Sequence, residues 1–195
     1  MQPRGNKITF EFKFKPQPGK TWPRIFILVN NCQIDTFEIT SQDTSASVTV
    51  DFSRAPNNIS IGYFNKYESE TVVEDGKIVR DQSLELLSVY ADGILLEPWF
   101  WTDHYYYPSY FQGYLRSNPD APKEQRSQLV WHFPGRYMIM NLPDSRDFWS
   151  WYQKERTDRV LSNLVDPTGQ IRDNHRAVSE EDHQLISEIK KCINV

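Results

Sequence analysis

Residues 8–14 constrain the chain more than any other stretch. Phe10, Phe12 and Phe14 alternate with Glu11, Lys13 and Lys15, and successive side chains of a β-strand point to opposite faces. The spacing predicts a half-buried strand whose three phenylalanines need a second apolar layer to cover them. Arg24–Val29 resumes, after the breaking run Pro16-Gln17-Pro18-Gly19, as a segment apolar on both faces, which predicts a central strand. Asn30-Asn31 supplies the next turn. Gln33–Ile39, Ala46–Phe52 (Val48, Val50 and Phe52 inward) and Asn58–Phe64 (Ile59, Ile61 and Tyr63 inward) continue the series.

Lys77–Val79 and Ser83–Tyr90 read as further extended segments. Asp92-Gly93, set between Val89-Tyr90 and Ile94-Leu95, predicts a two-residue hairpin, because a type I′ turn needs positive φ. Strands about 8–12 residues apart with turn residues between them, and no helix-period segment among them, predict an all-β fold: an antiparallel β-sandwich, jelly-roll-like. Gln128–Phe133 and Arg136–Asn141 read as a closing pair of strands around Pro134-Gly135, so the sandwich domain is expected over 1–143.

Two regions break this pattern. Trp99–Tyr114 carries nine aromatics in sixteen residues, too many for an ordinary solvated loop, and 99–127 is expected to be an aromatic-rich excursion. Beyond it, 144–195 predicts a C-terminal helical arm. Asp144-Ser145 offers an N-cap ahead of Phe148, Trp151 or Tyr152, Glu155 and Arg159 at helical spacing. Ser179-Glu180-Glu181-Asp182 then starts a second helix with Leu185, Ile186, Ile189 and Ile193 on one stripe, an expected assembly face. The polar stretch between the helices reads as a linker.

A net charge of −4 gives no electrostatic pull on phosphate backbones, so nucleic acid is not an expected partner. No apolar run approaches the ~20 residues of a membrane span, and the opening residues lack the apolar centre of a signal peptide, so neither membrane insertion nor Sec-type export is expected. Cys32 and Cys192 read as two unrelated free thiols.

Candidate sites follow from residue type. The loop Asn65-Lys66-Tyr67-Glu68-Ser69-Glu70, with Glu74, Asp75 and Asp81, gathers oxygen donors suited to calcium, and equally describes a solvated acidic hairpin. Tyr105, Tyr106, Tyr107, Tyr110 and Tyr114, with Phe111, suit three roles: stacking on sugar rings, contact with a protein partner, or cover for an open end of the sandwich. His104, His132, His175 and His183 show no zinc spacing, and Asp103-His104 is at most a fragment of a catalytic triad. The chain holds no nucleophile-elbow, P-loop or dinucleotide fingerprint, which favours binding or structure over catalysis.

Ile59–Pro98, about a fifth of the chain, resembles the calcium-dependent xylan-binding type of carbohydrate-binding module, a β-sandwich. The residues that carry the resemblance are Tyr63-Phe64-Asn65-Lys66, Asp81-Gln82-Ser83-Leu84 and Val89-Tyr90-Ala91-Asp92-Gly93. Asn65, Asp81 and Leu84 match by identity, whereas Lys66 and Ser83 stand where an acidic residue and an asparagine are usual. The resemblance implies Asn65 and Asp81 as metal ligands and calcium as the one cofactor to test, on a scaffold whose site has changed. In architecture the chain also resembles structural proteins of tailed-phage virions, which reuse such scaffolds. That implies a non-enzymatic assembly protein of tail, baseplate or fibre, made in the host cytoplasm and found in the virion. Its expected partners are other virion proteins, further copies of itself, or polysaccharide. The alternative is a calcium-dependent carbohydrate-binding module that recognises host-surface glycans.

Overall fold

The computed structural model describes residues 6–54, 56, 58–75, 77–140, 142–143 and 147–164. Contact density divides the chain into two units, Met1–Trp151 and Tyr152–Val195. The first unit is an antiparallel β-sandwich. Its strands are β1 (Lys7–Gln17), β2 (Arg24–Val29), β3 (Cys32–Glu38), β4 (Ser45–Asp51), β5 (Asn58–Tyr63), β6 (Val72–Glu74), β7 (Lys77–Arg80), β8 (Ser83–Ala91), β9 (Ile94–Leu95), β10 (Tyr105–Pro108), β11 (Gln125–Arg126), β12 (Val130–Trp131) and β13 (Gly135–Met140). One sheet runs β12-β8-β1-β4 with β9 on β8, the other β11-β10-β13-β5-β2-β3, and β6-β7 form a small separate ribbon.

The phenylalanine alternation of β1 does what its period requires. Ile8, Phe10, Phe12 and Phe14 are buried on one face, opposite Ile25 and Ile27 of β2, Ile59, Ile61 and Tyr63 of β5, and Tyr137 and Ile139 of β13. Each such side chain withdrawn from water stabilises the fold by about 1.5–3 kcal/mol. Ring contacts tie the two layers: Trp131 of the first sheet lies 5.5 Å from Tyr106 and 5.4 Å from Tyr137 of the second.

Two bulges keep the pattern in phase. β1 pairs with β8 at Lys13↔Ser88 and then Phe14↔Leu86, so Leu87 is the extra residue; it is 47% exposed, while Leu84, Leu86, Val89 and Ala91 are all buried. Without that insertion, either Leu84 and Leu86 or Val89 and Ala91 would face solvent. β2 and β3 show the same device at Ile34, the residue skipped between Ile27↔Asp35 and Leu28↔Gln33. Both expected turns form: Asn30 and Asn31 have φ of 52° and 66°, Asp92 and Gly93 of 48° and 78°.

The expected closing pair does not exist. β12 pairs with β8 through Val130↔Glu85 and Trp131↔Leu84, while β13 lies between β10 and β5 in the other sheet. Between them the chain crosses from one layer to the other through Phe133-Pro134, where proline has no N–H to give to a ladder. The region 99–127 is also more regular than an excursion. It holds α1 (Pro98–Thr102), with Pro98 in the first turn where its missing donor costs nothing, then β10, α2 (Gln112–Ser117) and β11.

Helix α3 spans Phe148–Leu164, as its spacing predicts. Its N-cap is Asp147, whose Oδ1 accepts the Ser150 N–H at 3.0 Å; Asp144 and Ser145 lie outside the described residues. Phe148 packs edge-on against Phe10 at 5.3 Å and contacts Phe52 at 5.3 Å, so the sandwich core extends past residue 143 into the first turn of this helix. The expected second helix, with Leu185, Ile186, Ile189 and Ile193, and Cys192 beside it, lies outside the described residues. Among the described residues no helix is long and apolar enough to cross a membrane.

Gly135, at the start of β13, sits where backbones meet closely: a Cβ there would lie 2.6 Å from the Tyr107 carbonyl oxygen and 2.7 Å from Tyr106 Oη. The carbonyl belongs to the paired strand β10 and cannot move without disturbing the ladder. Gly135→Ala is therefore expected to cost about 1–3 kcal/mol in urea denaturation. An unchanged midpoint would mean that β10 and β13 are not held at this spacing.

Candidate functional site

The loops that join β5 to β8 bury an unusual number of polar groups. Asn65, Lys66, Glu70, Asp81, Gln82 and Ser83 are all buried, and buried polar groups need partners. Asn65 Oδ1 accepts the Arg24 N–H at 2.6 Å while its Nδ2 donates to the Trp22 carbonyl at 2.8 Å, so its amide acts as one more rung of the sheet. Gln82 Nε2 donates to the Thr21 carbonyl at 2.9 Å, and the Tyr63 hydroxyl donates to Gln82 Oε1 at 2.8 Å. Glu70 Oε2 accepts the backbone N–H groups of Lys20 and Thr21.

At the centre is an ion pair. Lys66 Nζ, on a side chain only 1% exposed, donates to Asp81 Oδ1, whose side chain is 12% exposed, and to the Gln82 carbonyl at 2.7 Å. The Thr71 hydroxyl donates to the same Asp81 oxygen at 2.6 Å, and His132 Nδ1 bonds Asp81 Oδ2 at 2.9 Å. Burial alone would raise the Asp81 pKa, but the bonds from His132, Lys66 and Thr71 outweigh it and hold the carboxyl below its ordinary range. Burial draws the Lys66 pKa down, opposed by its bond to Asp81. With Asp81 ionised, the ammonium faces its counter-charge directly.

Asn65 and Asp81, the expected calcium ligands, thus belong to one polar cluster, but their oxygens are already engaged. Calcium takes about 6–8 oxygen ligands, several of them carboxylate. Here Asn65 Oδ1 holds a backbone N–H, both Asp81 oxygens are bonded, and an ammonium occupies the space in front of the carboxylate. Among the described residues no three His, Cys, Asp or Glu side chains converge on a common point. This donor set does not fit a divalent cation.

Against the cluster lies an aromatic shelf. Phe133 follows His132, and Tyr110, Tyr114 and Phe111 close on it at 4.8, 4.7 and 5.7 Å. Tyr110 and Tyr114 are themselves stacked at 5.2 Å, with their planes 19° apart. The Tyr110 hydroxyl donates to the Pro122 carbonyl and accepts from Gln125 Nε2, both at 3.0 Å. Lys66 Nζ lies 5.9 Å from the Phe133 ring centroid, so shelf and cluster are contiguous. Tyr114 is exposed, Tyr110 and Phe133 half-buried, and the His132 side chain 53% exposed at the edge.

The five expected tyrosines therefore separate. Tyr110 and Tyr114 form the shelf. Tyr105 and Tyr107 lie on the outer face of β10, with their rings 6.4 Å apart. Tyr106 alternates inward, is 1% exposed, stacks on Trp131 and donates to the Phe133 carbonyl; it supports the shelf from beneath and cannot meet a partner. Asp103 pairs with Arg126 at 2.7 Å and His104 Nε2 meets the Phe100 carbonyl at 2.8 Å. Phe133, His132 and Gln125 were not among the expected site residues. The one sequence signal for them was the adjacency Trp131-His132-Phe133, in which a buried anchor is followed by two residues of opposite character.

No protein-family profile and no curated protein sequence matches the chain. Among solved structures it is similar to the carbohydrate-binding module vCBM60 in complex with galactobiose, at 7% identity and a TM-score of 0.45, over 68% of this chain and 98% of that one. It is similar at the same identity and TM-score to the selenomethionine form of vCBM60, over 69% of this chain and 91% of that one. That second structure was described as part of an evolutionary link, by circular permutation, between two families of calcium-dependent carbohydrate binding modules.

Proposed function

We propose that this chain is a non-catalytic recognition module that holds a saccharide on the shelf of Phe133, Tyr110 and Tyr114, with His132 and Gln125 at its rim. The observation that carries this reading is the contiguity of three mutually packed rings with the exposed His132 and the half-buried Gln125. Flat π faces match the C–H faces of a pyranose, and neighbouring donors and acceptors take its hydroxyls. Asp81 is not poised as a general acid: an ionised carboxylate bonded through both oxygens has no proton to give a leaving group. The reading does not include calcium, which the donor set does not fit.

A glycan array probed with the purified chain, beside Tyr114→Ala and Tyr110→Ala, tests it. Binding to a defined set of glycans is expected, weakened about two- to tenfold by either variant, since a stacking contact contributes roughly 0.5–1.5 kcal/mol beyond burial. Silence across the array from a folded protein would remove the saccharide reading.

A second reading is a structural protein of a phage virion, in tail, baseplate or fibre, that contacts other virion proteins or further copies of itself. The observation that favours it is the division of the chain into two units, Met1–Trp151 and Tyr152–Val195, the second available for a role of its own. Co-purification of the chain with intact particles, lost when 152–195 are deleted, is the result this reading expects.

A further inference from the structure

We propose that the Lys66 ammonium is a tethered cation, serving as the charge that ties the β5–β8 loops together in place of a bound metal ion. Three features of the site carry this. The ammonium is almost fully enclosed, so it was not placed there for solvation; a buried lysine needs oxygen partners to offset the loss of water. Its partners are the kind a hard cation takes, a carboxylate oxygen of Asp81 and the backbone carbonyl of Gln82, with the face of Phe133 on a further side. The two oxygens come from consecutive residues and the ring from the distant stretch at Phe133, and Asp81 hands the tie on to Thr71 and His132. One charge therefore fixes the segment after β5, the turn at 68–71, the entry to β8 and the strand-exit residues His132-Phe133.

The ammonium is covalently attached, so the organisation it gives cannot be stripped by a chelator. Lys66 is thereby a positioning residue for the shelf, whatever the shelf binds. A tethered cation also explains why Asn65 spends its carbonyl oxygen on a backbone N–H: no metal competes for it.

The test uses the full chain and calcium itself. Thermal unfolding is followed in millimolar calcium chloride and in excess EDTA, for the wild type and for Lys66→Asp, with Lys66→Gln as the variant that removes the charge while adding none. The wild type is expected to melt at the same temperature in both, within about 1 °C. Lys66→Asp places a second carboxylate beside Asp81 and should melt lower in EDTA, then recover by about 5 °C or more in calcium. Lys66→Gln should melt lower than wild type with no response to calcium. A calcium-dependent rise in the wild type would overturn the proposal directly. So would a Lys66→Asp protein that folds yet ignores calcium, since its vacated position would then not be a cation's; if that variant does not fold, the wild-type and Lys66→Gln melts decide.

Discussion

Replacing Trp131 with alanine is expected to lower the free energy of unfolding by about 3–5 kcal/mol, the range for a fully buried aromatic whose neighbours cannot collapse into the space. Trp131 has no exposed surface. It stacks on Tyr106 at 5.5 Å, meets Tyr137 at 5.4 Å and Phe14 at 6.2 Å, and its indole N–H donates to the Gln128 carbonyl at 2.8 Å. Those contacts reach both sheets, while the residue's own strand, β12, consists of Val130 and Trp131 alone. Two residues of ladder hold little by themselves, so the indole is what keeps the edge of the first sheet in place. His132 and Phe133 follow immediately, and the variant should therefore lose ligand affinity at the shelf along with stability. Urea denaturation measures the first effect. A loss below about 1 kcal/mol would show that the layers are joined elsewhere.

Local features were legible and non-local ones were not. The β1 alternation could be read because apolar and charged residues contrast at every step, and the Asn30-Asn31 and Asp92-Gly93 turns because their backbone demands are met by those residues in any context. Tyr105-Tyr106-Tyr107 obeys the same period-two rule, yet three identical residues give no contrast, so nothing distinguishes the buried member until Trp131 is seen beneath it. Pro134-Gly135 is a turn signal, but a turn signal does not say whether the chain doubles back in one sheet or crosses to the other. Here the crossing is decided by Trp131 and Tyr137, each claimed by a different sheet.

The site shows the same limit at higher cost. Asn65 and Asp81 were recognisable as oxygen donors, and they are indeed members of one cluster. What each oxygen faces depends on Lys66, and a lysine in a polar loop reads as a solvated charge. Its enclosure is a tertiary effect, with Asp81 and Gln82 on one side and the Phe133 ring on another. The acidic look of this loop was therefore a poor guide to metal binding: Glu70 is spent on the backbone of residues 20–21 and Asp81 on Lys66, Thr71 and His132.

Lys66→Met is expected to cost about 3–5 kcal/mol at neutral pH, because removing one partner of a buried pair leaves the other charged and enclosed. The pH dependence identifies the cause. In the wild type the Asp81 carboxyl titrates below its ordinary range, so the stability it contributes is present above the unfolded-chain value of about 3.9 and is lost as pH falls through the lower folded value. Without the ammonium, burial of Asp81 is opposed only by His132 and Thr71, and its folded pKa climbs. The variant then relieves its strain by taking up a proton at a pH where the wild type still holds an ionised pair, while in stronger acid the wild type is left with a buried ammonium facing a neutral acid. The gap between the two proteins should be widest near pH 7 and narrow steadily through the carboxylate range. A gap of the same size at every pH would mean that the methionine side chain fails through shape alone. Adding Asp81→Asn to Lys66→Met separates the two causes at neutral pH, since deleting the stranded charge should recover part of the loss if charge is what was lost.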